Sequence, residues 1–114
     1  MTNNAYRLND KISERQLQKL IIDYIKLALP GCWWRNNIGG IGQRRGIPDL
    51  EVMYQGRPFF IEVKTPKGRL SPYQERELAW LKESGVDVLV ARSLEDVIEF
   101  FKGIGTQSEL SMEL

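Results

Sequence analysis

Two acids and a base in the middle of the chain have the types and spacing of a hydrolytic site. Asp49 follows Pro48, and after twelve intervening residues comes Glu62-Val63-Lys64. On an extended strand Glu62 and Lys64 point to one face while Ile61 and Val63 point to the other. If 49–54 and 59–64 pair as a hairpin, Asp49 opens one strand and Lys64 closes the other, so two carboxylates and an ammonium meet at one end of the ladder. Carboxylate oxygens are hard ligands suited to Mg²⁺ or Mn²⁺, and a neighbouring lysine can orient a water and offset charge on a phosphate. Two more polar residues sit on apolar helical stripes and are expected to face inwards. Glu14 aligns with Leu17 and Ile21, and Gln74 with Leu78 and Leu81. Each has a plainer explanation: an E-x-K on an edge strand as a surface ion pair, Asp49 as a turn cap, Glu14 as a charge at the helix dipole, Gln74 as the capping partner of Ser71. Their occurrence together favours one shared site.

The elements that must position these residues follow from local signals. Ser13-Glu14-Arg15-Gln16 is a capping box, and Leu17, Leu20, Ile21, Tyr24, Ile25 and Ala28 recur at helical spacing until Pro30-Gly31 ends the run. Cys32 to Arg35 reads as a strand with Trp33 and Trp34 on opposite faces, one in the core and the other free for a dimer contact or stacking. Asn36 to Gly46 is too polar to order itself and reads as a loop. The hairpin strands Asp49–Tyr54 and Phe59–Lys64 are joined by Gln55-Gly56-Arg57-Pro58, four residues containing glycine. Thr65 to Leu70 is a basic loop. Ser71-Pro72-Tyr73-Gln74 starts a second helix, with serine at the cap and proline in the first turn, that Gly85 ends. Val86 to Ala91 suits a buried strand, and Ser93 caps a last helix to Gly103. The expected order is α-β-β-β-α-β-α, an α/β fold with a central sheet covered by helices. At 114 residues the chain is expected to be one domain over 1–114, with its core at about 13–103, an N-terminal arm at 1–12 and a tail at 104–114.

Composition removes many alternatives. The chain has no histidine, so Ser-His-Asp triads, Cys-His pairs and His-ligated zinc are excluded. Cys32 is the one cysteine and reads as a small apolar residue in a reducing, cytoplasmic setting. No apolar run approaches a membrane span, and Met1 to Asp10 lacks the apolar stretch of a signal peptide. The glycines at 40, 42 and 46 do not fit the dinucleotide-binding spacing, and no P-loop lysine follows them.

Gly46-Ile47-Pro48-Asp49-Leu50, Glu62-Val63-Lys64, the acid early in the first helix and Ser71-Pro72-Tyr73-Gln74 together resemble the VRR-NUC nucleases, a branch of the PD-(D/E)XK superfamily. The resemblance spans about Ser13 to Lys102, although the Val-Arg-Arg of the family name is not present. It implies a restriction-endonuclease-like core and a phosphodiester hydrolase dependent on Mg²⁺ or Mn²⁺. By the same resemblance Asp49, Glu62, Glu14 and the Val63 backbone carbonyl hold metal, Lys64 is catalytic and Gln74 supports the site. It further implies kinship with small stand-alone members from bacteria and phage, which act as homodimers on branched DNA such as Holliday junctions. The competing reading is a non-catalytic DNA-binding module of the same fold. A small-molecule metallohydrolase fits poorly with so open and basic a loop.

The charge distribution bears on the substrate. The whole chain has a formal net charge of +1. Residues 24 to 72 nevertheless hold eight lysines and arginines against three acids, while residues 73 to 114 hold four against nine, giving local nets of +5 and −5. The basic half contains the candidate site. In it the glycines around Gly42 allow close backbone approach to a phosphate, and Arg44 and Arg45 are either clamps for that phosphate or a solvated loop tip. Lys67 and Arg69 extend the basic surface, and phosphate contacts are expected to dominate binding.

Overall fold

The first helix begins where the Ser13 hydroxyl accepts a hydrogen bond from the Gln16 backbone N–H at 3.1 Å and the Gln16 side-chain oxygen accepts from the Ser13 N–H at 2.8 Å. These two bonds satisfy donors that the helix itself leaves open. In the computed structural model, which describes residues 12–37 and 44–103, this helix is α1, Glu14–Ala28. Its buried edge is Leu17, Ile21 and Ile25, continued by Leu29. Leu20, expected in the same stripe, is 42% exposed, because it lies beyond the narrow seam that α1 presses on the sheet.

Strand β1, Trp33–Asn36, pairs antiparallel with β2, Leu50–Tyr54, in the register Trp34 to Val52. Strand β2 then pairs antiparallel with β3, Arg57–Val63, in the register Leu50 to Ile61. The hairpin turn is tighter than its four-residue reading. Only Gln55 and Gly56 lie between the strands, both left-handed at φ 51° and 79°, as the two-residue turn matched to strand twist requires. Strand β3 therefore starts earlier and includes Pro58. Helix α2, Pro72–Glu83, leads to β4, Asp87–Ala91, which pairs parallel with β3, and α3 closes the described chain at Leu94–Gly103.

The order of elements is the expected one, and the sheet is mixed, with strand order β1-β2-β3-β4. Being an edge strand, β4 is only half-buried apart from Ala91, in contrast to the fully buried strand its apolar run suggests. Leu50, Val52 and Tyr54 of β2 and Phe59, Ile61 and Val63 of β3 face α1 and α3, where Phe101 meets Phe59 edge-on at 5.4 Å between ring centres. The alternation leaves Glu62 on the opposite face, towards α2. Trp34 packs against the core, and Trp33, on the other face, is 52% exposed beside Met53. Cys32 is half-buried, and that burial pushes its thiol pKa up. The proposed terminal arm and tail fall, but for Ile12, outside the described residues. No helix among the described residues is long and apolar enough to cross a membrane.

Candidate active site

The site sits at the end of the β2–β3 ladder, and each acid is held by a backbone or side-chain donor. Leu50 pairs with Ile61, so one step further Asp49 comes level with the end of β3. There its Oδ2 accepts a hydrogen bond from the Val63 N–H at 2.8 Å. In an extended strand the N–H and C=O of one residue project to the same side. The Val63 carbonyl therefore turns towards Asp49, while the next residue turns the other way, with the Lys64 N–H donating to the Ala91 carbonyl of β4 at 3.0 Å.

Glu62 is 1% exposed, a buried carboxylate that needs a partner. Its Oε2 accepts from the Gln74 side-chain amide at 2.8 Å and lies 3.9 Å from the Lys64 ammonium. Gln74 meanwhile uses its Oε1 to accept from the Ser71 N–H at 2.8 Å, while its own N–H donates to the Ser71 hydroxyl at 3.1 Å. The cap contact to Ser71 and the contact to Glu62 are thus made together by the two ends of one amide. The cap fixes which end of the amide faces Glu62.

Burial raises the pKa of both acids. Glu62 is pushed up to about 8, first by desolvation and then by the Asp49 charge, with the Lys64 ammonium opposing and Glu14 adding a smaller upward push. Asp49 is also raised by burial, against the favourable Val63 N–H and Lys64. Glu14 itself is exposed, so it avoids the desolvation cost expected of an inward carboxylate while its charge still reaches Glu62. Among the described residues no three acidic or cysteine side chains converge into a ready-made metal cage. Asp49, Glu62 and the Val63 carbonyl make an oxygen-only set that fits a small hard cation retaining several waters.

The Gly46-Ile47-Pro48-Asp49 segment is fixed from two sides. Gly46 has φ +85°, and a Cβ placed there would lie 2.3 Å from the Tyr73 carbonyl oxygen in the first turn of α2. Glycine is therefore required for the loop to lean on that helix. On the other side the Asn37 amide donates to the Pro48 carbonyl at 2.9 Å, the Asn37 N–H donates to the Asp49 carbonyl at 2.7 Å, and Arg35 holds Asn37 through its Oδ1. Asn37 went unnoticed in the sequence because it reads as an ordinary loop residue. Arg92 was equally silent. Following β4, its guanidinium donates to the carbonyls of Thr65 at 2.8 Å and Gly68 at 2.6 Å, gathering the loop directly after Lys64.

The basic residues divide. Arg44 is paired with Glu77 of α2 at 2.7 Å and stacked on Trp80, so much of its charge is already balanced. Arg45 donates to the Tyr73 hydroxyl at 3.1 Å and lies over that ring. Both lean on α2, on the same helix that supplies Gln74. Lys67 and Arg69 are exposed in the loop after Lys64, and Gly42 lies outside the described residues.

A four-stranded mixed sheet flanked by helices, with an acid pair and a lysine at the end of a β-hairpin, is the arrangement of a restriction-endonuclease-like nuclease domain. The VRR-NUC domain profile matches residues 36–95, and the chain belongs to that family of nuclease-type domains. A solved VRR-NUC domain is 27% identical, with a TM-score of 0.67 over 78% of this chain and 94% of the other. A second structure, of a VRR-NUC domain protein, is 16% identical and shares the fold, with a TM-score of 0.61 over 80% of this chain and 86% of the other. No curated protein matches the chain.

Proposed function

We propose that this domain is a divalent-metal-dependent DNA endonuclease that hydrolyses phosphodiester bonds in branched DNA such as Holliday junctions. The observation that carries the reading is the joining of Asp49, Glu62 and Lys64 at the end of one hairpin, with Glu62 buried against Gln74. Two acids crowded in a buried place are poorly stabilised by each other, and a cation between them removes the conflict. Asp49, Glu62 and the Val63 carbonyl would hold Mg²⁺ or Mn²⁺, with Glu14 near the rim. Such an ion supplies Lewis acidity and offsets negative charge on the phosphate. Lys64 orients the attacking water and stabilises charge on the phosphate as the bond breaks. Gln74 keeps the Glu62 carboxylate aimed at the site. Arg44, Arg45, Lys67, Arg69 and the glycine loop at Gly42 contact the DNA backbone.

A four-way junction presents two equivalent strands, so symmetric cutting calls for two copies of the chain. The exposed pair Trp33 and Met53, adjacent across β1 and β2, supports assembly as a homodimer. The lone cysteine and the absence of any long apolar helix among the described residues agree with work in the cytoplasm of a bacterial or phage-infected cell.

The test is a cleavage panel of duplex, flap, splayed-arm and four-way junction DNA with and without Mg²⁺ or Mn²⁺. Wild type should cut the junction best and only with metal, and Asp49→Ala and Lys64→Ala should each lose about a hundredfold or more in rate. DNA binding without cleavage under every metal condition would instead identify a binding module, and undiminished cutting by either variant would remove the assigned roles.

A further inference from the structure

A groove of about 570 Å³ runs from Asp49 along the outer side of α1, floored by the end of β1. Arg15, Lys19 and Lys26 line it together with Gln18 and the Asn36–Asn37 step. We propose that this groove seats the phosphate backbone of the DNA strand leading into the Asp49–Glu62 site, with Arg15 and Lys26 each neutralising a phosphate. The inference rests on the nuclease reading for its direction, since it extends the substrate path from the candidate site along a helix to which no DNA contact has been given.

The charges decide which residues matter. Lys19 is tied to Asp23 at 3.1 Å and adds no net charge. Arg15 and Lys26 have no ion-pair partner among the described residues, and both are exposed. Arg15 stands in the first turn of α1, where a cation opposes the helix dipole, so helix stability does not account for it. Lys26 lies 5.7 Å from the centre of the Trp34 ring, which holds the ammonium beside β1. The eleven-residue step from Arg15 to Lys26 is about 16 Å along a helix, well beyond the axial rise of about 3.4 Å between neighbouring phosphates of one strand. Both cations can therefore serve one strand without competing for one phosphate. Gln18 and Asn36 are bonded to each other, which ties α1 to β1 and keeps the groove walls at a fixed separation.

The experiment is a fluorescence-anisotropy titration of a labelled four-way junction and a labelled duplex, in Ca²⁺ to hold back cleavage, from 50 to 200 mM KCl. Arg15→Ala/Lys26→Ala should lower the slope of log K against log salt by about 2 relative to wild type, from about 0.9 per phosphate contact on duplex DNA. A control pair on other faces, Lys82→Ala/Lys102→Ala, should leave it unchanged, and circular-dichroism melts verify that both variants are folded. An unaltered slope in the groove variant, or a wild type that binds neither DNA, overturns the inference. Its fate is separable from that of the nuclease reading: wild type that binds but never cuts with Mg²⁺ or Mn²⁺ defeats the latter alone, while cutting by wild type with an unaltered groove-variant slope defeats the former alone.

Discussion

Replacing Glu62 by glutamine removes one proton-binding site while preserving side-chain length and the oxygen that accepts from Gln74. In the metal-free folded protein Glu62 keeps its proton up to about pH 8, whereas in the unfolded chain it ionises near 4.5. The folded state therefore binds more protons between those values, and unfolding free energy falls as pH rises, by about 1.4 kcal/mol per pH unit. The contribution is fully present below 4.5 and lost once the pH has passed about 8, which sets its upper limit at about 5 kcal/mol. Asp49 is raised in the same direction and interacts directly with Glu62, so the difference between the two proteins reports Glu62 together with its effect on Asp49. Thermal melts of wild type and Glu62→Gln in a chelator at pH 5 and pH 8.5 provide the measurement. The variant should gain on wild type as pH rises, by on the order of 10 °C in Tm for a shift of about 3 kcal/mol in a domain of this size. Saturating Mg²⁺ should then raise the Tm of wild type at pH 8.5 by more than that of the variant, because the variant keeps Asp49 but offers the ion one charged ligand fewer. A gap between the two proteins that is the same at both pH values would refute the assignment of Glu62 as the strained acid of the site.

Three further outcomes follow from the contacts around it. Gly46→Ala forces a side chain into left-handed backbone against the Tyr73 carbonyl and should cost about 3 kcal/mol in urea denaturation; a loss under about 1 kcal/mol would show that the loop does not lean on α2 as described. Gln74→Ala removes both the cap partner of Ser71 and the donor to buried Glu62, so unfolding free energy at pH 8 should drop by about 2 kcal/mol, and a change below about 0.5 kcal/mol would contradict the double role. Arg92→Ala releases the carbonyls of Thr65 and Gly68, and amide exchange should quicken at 64–70 with little change in β2; equal protection in both proteins would mean that the loop is held by something else.

What could be read in the sequence was what local chemistry fixes. The two capping boxes, at Ser13 and Ser71, have the hydrogen bonds their spacing implies. The alternation that sends Val63 to the core and Glu62 to the other face follows from strand geometry alone. The hairpin was legible but its turn was not, because glutamine seldom takes the left-handed conformation that Gln55 adopts. The exposure of Leu20 and the half-burial of β4 depend on where α1 and α2 come to rest, which periodicity does not encode. In the site, Asp49, Glu62, Lys64 and Gln74 are brought together as expected, because a hairpin and a nearby cap are short-range devices. Asn37 and Arg92 act across eleven residues or more through backbone carbonyls, and a carbonyl leaves no mark in a sequence. For Arg44 the sequence allows either a phosphate clamp or a solvated loop tip, and its pairing with Glu77, far along the chain, has no local signal.

The shared amide of Gln74 also narrows what that position can tolerate. A capping partner three residues after Ser71 can be glutamine or glutamate, since either offers the oxygen that the Ser71 N–H requires. Glu62 calls for a donor on the same side chain, which ionised glutamate lacks, and asparagine, which has both groups, is one carbon too short to span the cap as well. Only one amino acid meets both requirements. Any variant library at this position should therefore return glutamine almost alone if stability and cleavage are selected together, and admit glutamate when stability at low pH is selected by itself.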